Sequence, residues 1–186
     1  MMYLSKGLAC RGPNKGRVYV RHFGEPIELT EEEAQIWFRG RRKFSYLAEK
    51  DDLHILQQLA KYRLVECVPE HTGCAQYMIL RRCVICPTRT ISLLPRSKIE
   101  KHILVWLKKA GFQLGIAELI SLFEKGIEPC RVLLYSENRL VLSRLIYPCN
   151  VMIANAFENR MMYSSARKQT VDAVMKLLSR KQVFMM

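Results

Sequence analysis

Apolar residues in the segment from 53 to 64 recur at three- and four-residue intervals, which is the spacing of an amphipathic helix. The apolar positions are Leu53, Leu56, Leu59, Ala60 and Leu64. The opposite face is polar and consists of His54, Gln57, Gln58 and Lys61. Two stretches rich in β-branched and aromatic residues follow at 64–68 and 75–84, on either side of a turn at 69–73. We therefore predict a helix followed by a two-stranded hairpin.

The residues before this helix predict a small sheet and a first helix. Residues 17–21 alternate between polar and apolar, as a half-buried strand does, and 27–29 follow a Gly-Glu-Pro turn that lets them pair back. Thr30 and Glu33 have the spacing of a capping box, which predicts the start of a helix. The residues expected on the buried face of this helix are Ala34, Trp37 and Phe38.

The C-terminal half predicts a second group of helices. A proline-bounded stretch, 87–95, is the expected linker. Capping and periodicity predict helices at 97–110, 114–124 and 170–178, and a last strand at 183–186. Residues 127–166 fit both a hairpin and a helix. The order of helix, cations and apolar strand at the C-terminus repeats the order at 53–68, which favours two related halves.

The order of a short helix, a longer helix and a hairpin resembles the winged helix-turn-helix of transcription regulators. The segment HILQQLAKYRLVECV carries the likeness. That family usually has Gly where this chain has Arg63, since Gly adopts a positive φ at a helix end without strain. The resemblance implies an α+β fold. Residues 1–87 would form a winged helix-turn-helix domain with a leading β-hairpin, and 96–186 a second small α+β domain of similar character.

The charge of the chain favours a polyanionic partner. The sequence has 30 Lys and Arg against 17 Asp and Glu, a net charge of +13 and a pI near 9.6. Such a balance attracts nucleic acid or another anionic surface. The sequence has neither a cleavable leader nor an apolar run of about 18 residues, so we expect a cytoplasmic protein with no membrane partner.

Some of the cysteines have a spacing that is found in zinc sites. Cys83 and Cys86 form a CxxC pair, but the other candidate ligands are not at standard spacing. Those candidates are Cys67, His71 and Cys74. We therefore expect free thiols, with zinc as the alternative. The chain has no HExxH, GxGxxG or P-loop, so we predict no cofactor and no enzymatic activity.

Two groups of side chains are candidates for DNA binding. The first is the polar helix face, His54, Gln57, Gln58 and Lys61, whose amide groups suit adenine in the major groove. The second is a set of cations for phosphates: Arg39, Arg41, Arg42 and Lys43 beside the helix, and Arg81 and Arg82 on the second wing strand. For the helix face and the cluster at 39–43, the alternative is an ordinary solvated surface.

These expectations favour a DNA-binding protein, a transcriptional regulator whose partner is double-stranded DNA. A homodimer would match the symmetry of most operators. Methionines expected at the surface of the second domain would dimerise or receive another protein; they are Met161, Met162, Met185 and Met186. The alternative function is a winged-helix protein-interaction adaptor that binds a peptide along a sheet edge and has no nucleic-acid role. RNA binding is a third possibility, although no aromatic stacking platform is evident.

Overall fold

The computed structural model describes residues 1–47, 52–70, 72, 74–89, 96–109, 114–135, 138–147 and 155–186. Helices and strands are mixed, so the predicted α+β class is confirmed. The chain divides into two compact units, unit 1 with residues 1–83 and 184–186, and unit 2 with residues 84–183. Independent folding of 1–87 and 96–186 as domains stays a prediction.

The elements are short strands, most of them in the first half of the chain, and helices of moderate length. Those within residues 1–83 are β1 (Met2–Ser5), β2 (Leu8–Cys10), β3 (Val18–Arg21), β4 (Ile27–Leu29), α1 (Glu31–Gly40), β5 (Ser45–Tyr46), α2 (Leu53–Lys61), β6 (Val65–Val68) and α3 (Ala75–Leu80). Those that follow are β7 (Ile85–Pro87), α4 (Lys98–Lys109), α5 (Ile116–Glu124), α6 (Arg139–Ile146), α7 (Ala156–Met162), α8 (Arg167–Ser179) and β8 (Val183–Met185). No helix in the described ranges is long and apolar enough to cross a membrane.

Unit 1 contains two antiparallel sheets. One has the strand order β2-β3-β4, and its β3–β4 pair is the hairpin predicted from the alternation. The other has the order β5-β1-β6, with Met2 opposite both Tyr46 and Val68. The N-terminal strand therefore fills the central position of the sheet that contains β6.

The helices α1 and α2 pack on one face of the β5-β1-β6 sheet. Trp37 is fully buried, and its Nε1 donates to the Lys6 carbonyl at 2.8 Å. Tyr3 donates its hydroxyl proton to the Ile36 carbonyl at 3.0 Å. The predicted capping box of Thr30 begins α1 as expected. Phe38 was expected inside, yet it is 47% exposed because it lies beyond the edge of the buried face.

The predicted second wing strand is wrong. Residues 75–80 form α3, whose Tyr77 and Leu80 are buried one helical turn apart. The run is short and apolar, and such a run does not distinguish a strand from a buried helix by periodicity alone. The strand β6 is the outer strand of its sheet and pairs along one edge with β1, so its described partner comes from the N-terminus of the chain and not from residues 75–84.

The end of α2 has a left-handed residue although that residue is not glycine. Arg63 has a φ of 59°. Its N–H donates to the Ala60 carbonyl, and the Leu64 N–H donates to the Leu59 carbonyl, both at 2.9 Å. This pair of bonds is a Schellman motif. The same two bonds end α8, where Lys181 has a φ of 58°.

Unit 2 is organised around α4, α5 and α8. Ser97 caps α4 through the Glu100 N–H, as predicted. The Glu100 carboxylate is 3% exposed and accepts from Arg180 at 2.6 Å. The ambiguous region 127–166 contains the helices α6 and α7 rather than a hairpin in its described part. The methionines expected at the surface are not exposed. Met161 and Met185 are buried, each with 1% exposure, and Met162 and Met186 are half-buried.

Candidate nucleic-acid interface

The outward face of α2 carries polar side chains in one row. His54, Gln57 and Lys61 are exposed and lie at i, i+3 and i+7, so they fall on one side of the helix. Gln58 is half-buried and stands at the edge of this row. The apolar side of α2 is held in the core by Ile55, Leu56 and Leu59. The predicted face is therefore available to solvent, except that Gln58 is less accessible than expected.

Arg39 of α1 and His54 of α2 lie against the same groove. The groove has a volume of about 230 Å³. It is lined by Glu32, Gln35, Ile36, Arg39, Asp52, His54 and Ile55. Arg39 is 4.0 Å from the Asp52 carboxylate, and its side chain remains 51% exposed. The C-terminal end of α1 thus places a cation beside the first turn of α2. We call Arg39, His54, Gln57 and Lys61 the α2 surface.

The turn from α1 to β5 carries the remaining cations of the basic cluster. Ser45 fixes this turn by donating its hydroxyl proton to the Arg39 carbonyl at 2.8 Å. Arg42 and Lys43 are exposed there. Arg41 is half-buried, with its guanidinium 5.0 Å from the centroid of the Trp37 ring. Burial, and secondarily the neighbouring Arg42, lower the pKa of Arg41. Arg41 therefore contributes to packing, whereas Arg42 and Lys43 face solvent.

Arg81 and Arg82 do not lie on a wing. They follow α3, where Arg81 is half-buried, and Arg82 is 3.5 Å from Glu66 of β6. Val65 belongs to the core beneath α1 and α2, and neighbouring residues of a strand point to opposite faces. Glu66 and its partner Arg82 therefore lie on the face of the sheet away from α2. Their predicted place on a second wing strand is therefore wrong, while a role of Arg81 and Arg82 in DNA binding stays a prediction.

The cysteines lie mainly in apolar surroundings. Cys83 is buried, its thiol donates to the Ile79 carbonyl at 3.4 Å, and burial raises its pKa to about 12. Burial also raises the pKa of Cys67 and of Cys86. Among the described residues, which exclude His71, no three His, Cys, Asp or Glu side chains converge on a metal position. None of the described cysteines forms a disulfide with another described residue.

A larger groove in unit 1 was not foreseen from the sequence. It lies between the β3–β4 hairpin and α1, with a volume of about 510 Å³. Val18, Leu29 and Phe38 supply apolar surface, and the charged residues of the lining are Lys15, Arg17 and Glu31. The signal in the sequence was the adjacent pair of aromatics at 37 and 38, since two consecutive residues of a helix point about 100° apart. Of the two, Trp37 is buried and Phe38 lies outside the core.

Comparison of the chain with protein-family models, with characterised proteins and with solved structures gives no match.

Proposed function

We propose that this chain binds duplex DNA through the α2 surface and the adjacent α1–β5 turn. The observation that supports the proposal best is the row of His54, Gln57 and Lys61 on a helix whose opposite side is fixed in the core. A rigid helix with an exposed polar row has the dimensions to enter the major groove. Arg39 stands beside its first turn, where the DNA backbone passes such a helix.

Some of these side chains would contact base edges, and others would contact phosphates. Gln57 has an amide that donates to and accepts from the N6/N7 edge of adenine, and Lys61 has a donor for guanine or phosphate. Arg42 and Lys43 on the turn would neutralise phosphates without reading sequence. Asp52 offsets part of the charge of Arg39, so the α1–β5 turn supplies most of the electrostatic attraction.

The architecture we propose is a variant of the winged helix. The strand β1 stands between β5 and β6 and pairs with β6, for which the sequence predicted a hairpin partner at 75–84. A transcriptional regulator that acts as a homodimer is the biological role this surface suits best, because paired half-sites match a two-fold protein.

Fluorescence anisotropy on a duplex of about 20 base pairs, titrated at several salt concentrations, tests the proposal. Each phosphate contact that is removed should reduce the slope of log K against log salt by about one unit. The double variant Arg42→Gln, Lys43→Gln should therefore reduce the slope by about one to two units. The matched control is Lys101→Gln with Lys168→Gln, which removes the same charge from exposed positions in residues 84–183. Equal losses from both double variants would overturn the assigned surface.

The adaptor function has one observation in its favour, the groove between the β3–β4 hairpin and α1. The strand β4 is an edge strand of its sheet, and the groove beside it offers apolar side chains with Lys15, Arg17 and Glu31 also in its lining. An extended peptide with an apolar residue near carboxylates would fit this combination. Selection from a displayed peptide library, followed by binding to the variant Phe38→Asp, tests it. Peptides that bind both proteins equally would exclude this groove.

A further inference from the structure

An open cavity lies within unit 2, between α4 and the segment 129–135. Its volume is about 670 Å³. Small-molecule sites in proteins have volumes of roughly 300–1,000 Å³. The residues that line it are Val105, Pro129, Arg131, Leu134 and Tyr135. The cavity therefore combines an apolar wall with one cation and one phenol, and it shares no residue with the α2 surface.

The cation of this cavity is held through one of its nitrogens, and no described carboxylate occupies the others. Arg131 donates through Nε to the Tyr135 hydroxyl at 3.0 Å. No carboxylate of the described residues pairs with its terminal nitrogens. The two terminal N–H groups of a guanidinium lie parallel, and they match the two oxygens of a carboxylate. The bond to Tyr135 orients this edge of the guanidinium before any ligand arrives.

Exposed apolar side chains are present in the segments that adjoin the lining residues in the chain. Val132 is 64% exposed, and Leu140 and Val141 of α6 are 72% and 47% exposed. Asn138 connects the two segments because its side-chain amide donates to the Val132 carbonyl at 2.7 Å. Exposed apolar side chains that are grouped in this way are typical of ligand-binding grooves and interfaces. Val132 is the neighbour of the lining residue Arg131 in the chain, so an apolar body longer than the cavity would extend toward Val132.

We propose that this cavity binds a small amphipathic carboxylate. The carboxylate would pair with the terminal nitrogens of Arg131, and an aliphatic or aromatic body would lie against Val105 and Leu134 and extend toward Val132. Charge complementarity selects the anion, since the described lining has a cation and no acid. The apolar wall selects against small hydrophilic anions. The proposal does not depend on DNA binding by unit 1.

Isothermal titration of the full chain with decanoate, below its micelle concentration, tests the site. Decanol supplies the same apolar body without the charge, and acetate supplies the charge without the body. Decanoate should bind the wild-type protein at least tenfold more tightly than either compound. The variant Arg131→Gln should weaken decanoate at least tenfold while leaving decanol unchanged. Arg131→Lys should restore only part of the loss, because an ammonium does not form the paired bonds.

The matched control is Arg144→Gln, which removes an exposed cation from α6 outside the cavity lining. It should leave decanoate binding unchanged. A second variant, Leu134→Trp, should exclude decanoate by filling the cavity, and thermal unfolding of each variant verifies that it is folded. Equal weakening by Arg131→Gln and Arg144→Gln would overturn the proposal, as would wild-type affinity for decanoate no greater than for decanol. If Leu134→Trp does not fold, the comparison of decanoate binding by Arg131→Gln and Arg144→Gln still tests the proposal.

Discussion

Arg41 and Arg42 are adjacent in the sequence and have different physical roles. The guanidinium of Arg41 lies over the Trp37 ring at 5.0 Å, whereas Arg42 is exposed on the turn. A cation over an aromatic face contributes about 1 kcal/mol. Arg41→Met should therefore lower the free energy of unfolding in urea by about this amount and leave the salt slope of DNA binding unchanged. Arg42→Gln should reduce the salt slope of DNA binding and leave the free energy of unfolding unchanged. If Arg41→Met changes the salt slope and not the stability, Arg41 contacts phosphate.

Three helix ends offer a direct measurement of backbone strain. Arg63 and Lys181 have φ of 59° and 58°, and Gly126 has a φ of 65° after α5. A side chain in this left-handed region costs roughly 1–2 kcal/mol, and glycine recovers most of this but loses some entropy on folding. Arg63→Gly and Lys181→Gly should each raise the free energy of unfolding by about 0.5 kcal/mol. Gly126→Ala should lower it by about 1 kcal/mol.

Chemical denaturation of the three variants and the wild type supplies these values. The added Cβ at Gly126 meets no atom within 4 Å, so any loss there reports the backbone conformation alone. A destabilised Arg63→Gly variant would mean that the arginine side chain contributes more than its backbone strain costs. Arg63 would then need a packing role that outweighs the preference of this position for glycine.

At the scale of elements, Glu66 connects β1, β6 and the end of α3. It accepts from Lys6 at 2.8 Å and lies 3.5 Å from Arg82. The Lys6 side chain is only 6% exposed, so its ammonium depends on this carboxylate. Breaking a buried ion pair by removing one partner costs about 3 kcal/mol or more. Glu66→Gln should therefore destabilise unit 1 by roughly that amount in urea denaturation.

The control for Glu66→Gln is a substitution in a solvent-exposed ion pair. Glu128 pairs with Lys98 at 2.6 Å, but their side chains are 59% and 74% exposed. Because water and side-chain entropy offset such pairs, Glu128→Gln should change stability little. A similar small change for Glu66→Gln would show that Lys6 finds another partner when the carboxylate is removed.

The elements that the sequence predicts are those with local causes. The Thr30 and Ser97 caps mark the starts of α1 and α4, and the periodicity of 53–64 marks α2. Residues 75–84 were predicted as a strand because a short apolar run fits a strand and a buried helix equally well, and the run forms α3. The pairing of β6 with β1, from sixty or more residues away, has no local pattern that would have predicted it.

The candidate site likewise contains residues whose position the sequence predicts and residues whose position it does not. Exposure of His54, Gln57 and Lys61 follows from helical spacing and was predictable. The position of Arg82 was not predictable, because Arg82 follows the unforeseen helix α3 and pairs with Glu66 of β6. Arg41 is an intermediate case, since it stands four residues after Trp37 and a contact at that spacing is a local signal.

At the scale of the whole molecule, the net charge of +13 complicates any measurement of DNA affinity. Exposed cations are present beyond the α2 surface, among them Lys101, Arg144, Lys168 and Lys176. A chain with this charge attracts any polyanion at low salt. Affinity for DNA alone therefore does not distinguish a sequence-reading protein from a merely basic one. The ratio of affinities for two duplexes of equal length and charge does.

We expect the wild-type protein to bind a duplex selected from a random library about tenfold or more tightly than the unselected pool, since one bidentate base contact discriminates by about 1–3 kcal/mol. Gln57→Ala should bring this ratio close to one with a smaller loss of affinity for the pool. Arg42→Gln with Lys43→Gln should weaken both duplexes and leave the ratio unchanged, because phosphates carry no sequence information. Gln169→Ala, on the exposed side of α8, is the matched control and should change neither value. A wild-type ratio near one, or a Gln57→Ala variant that weakens both duplexes equally, would mean that α2 contacts the backbone and does not read bases.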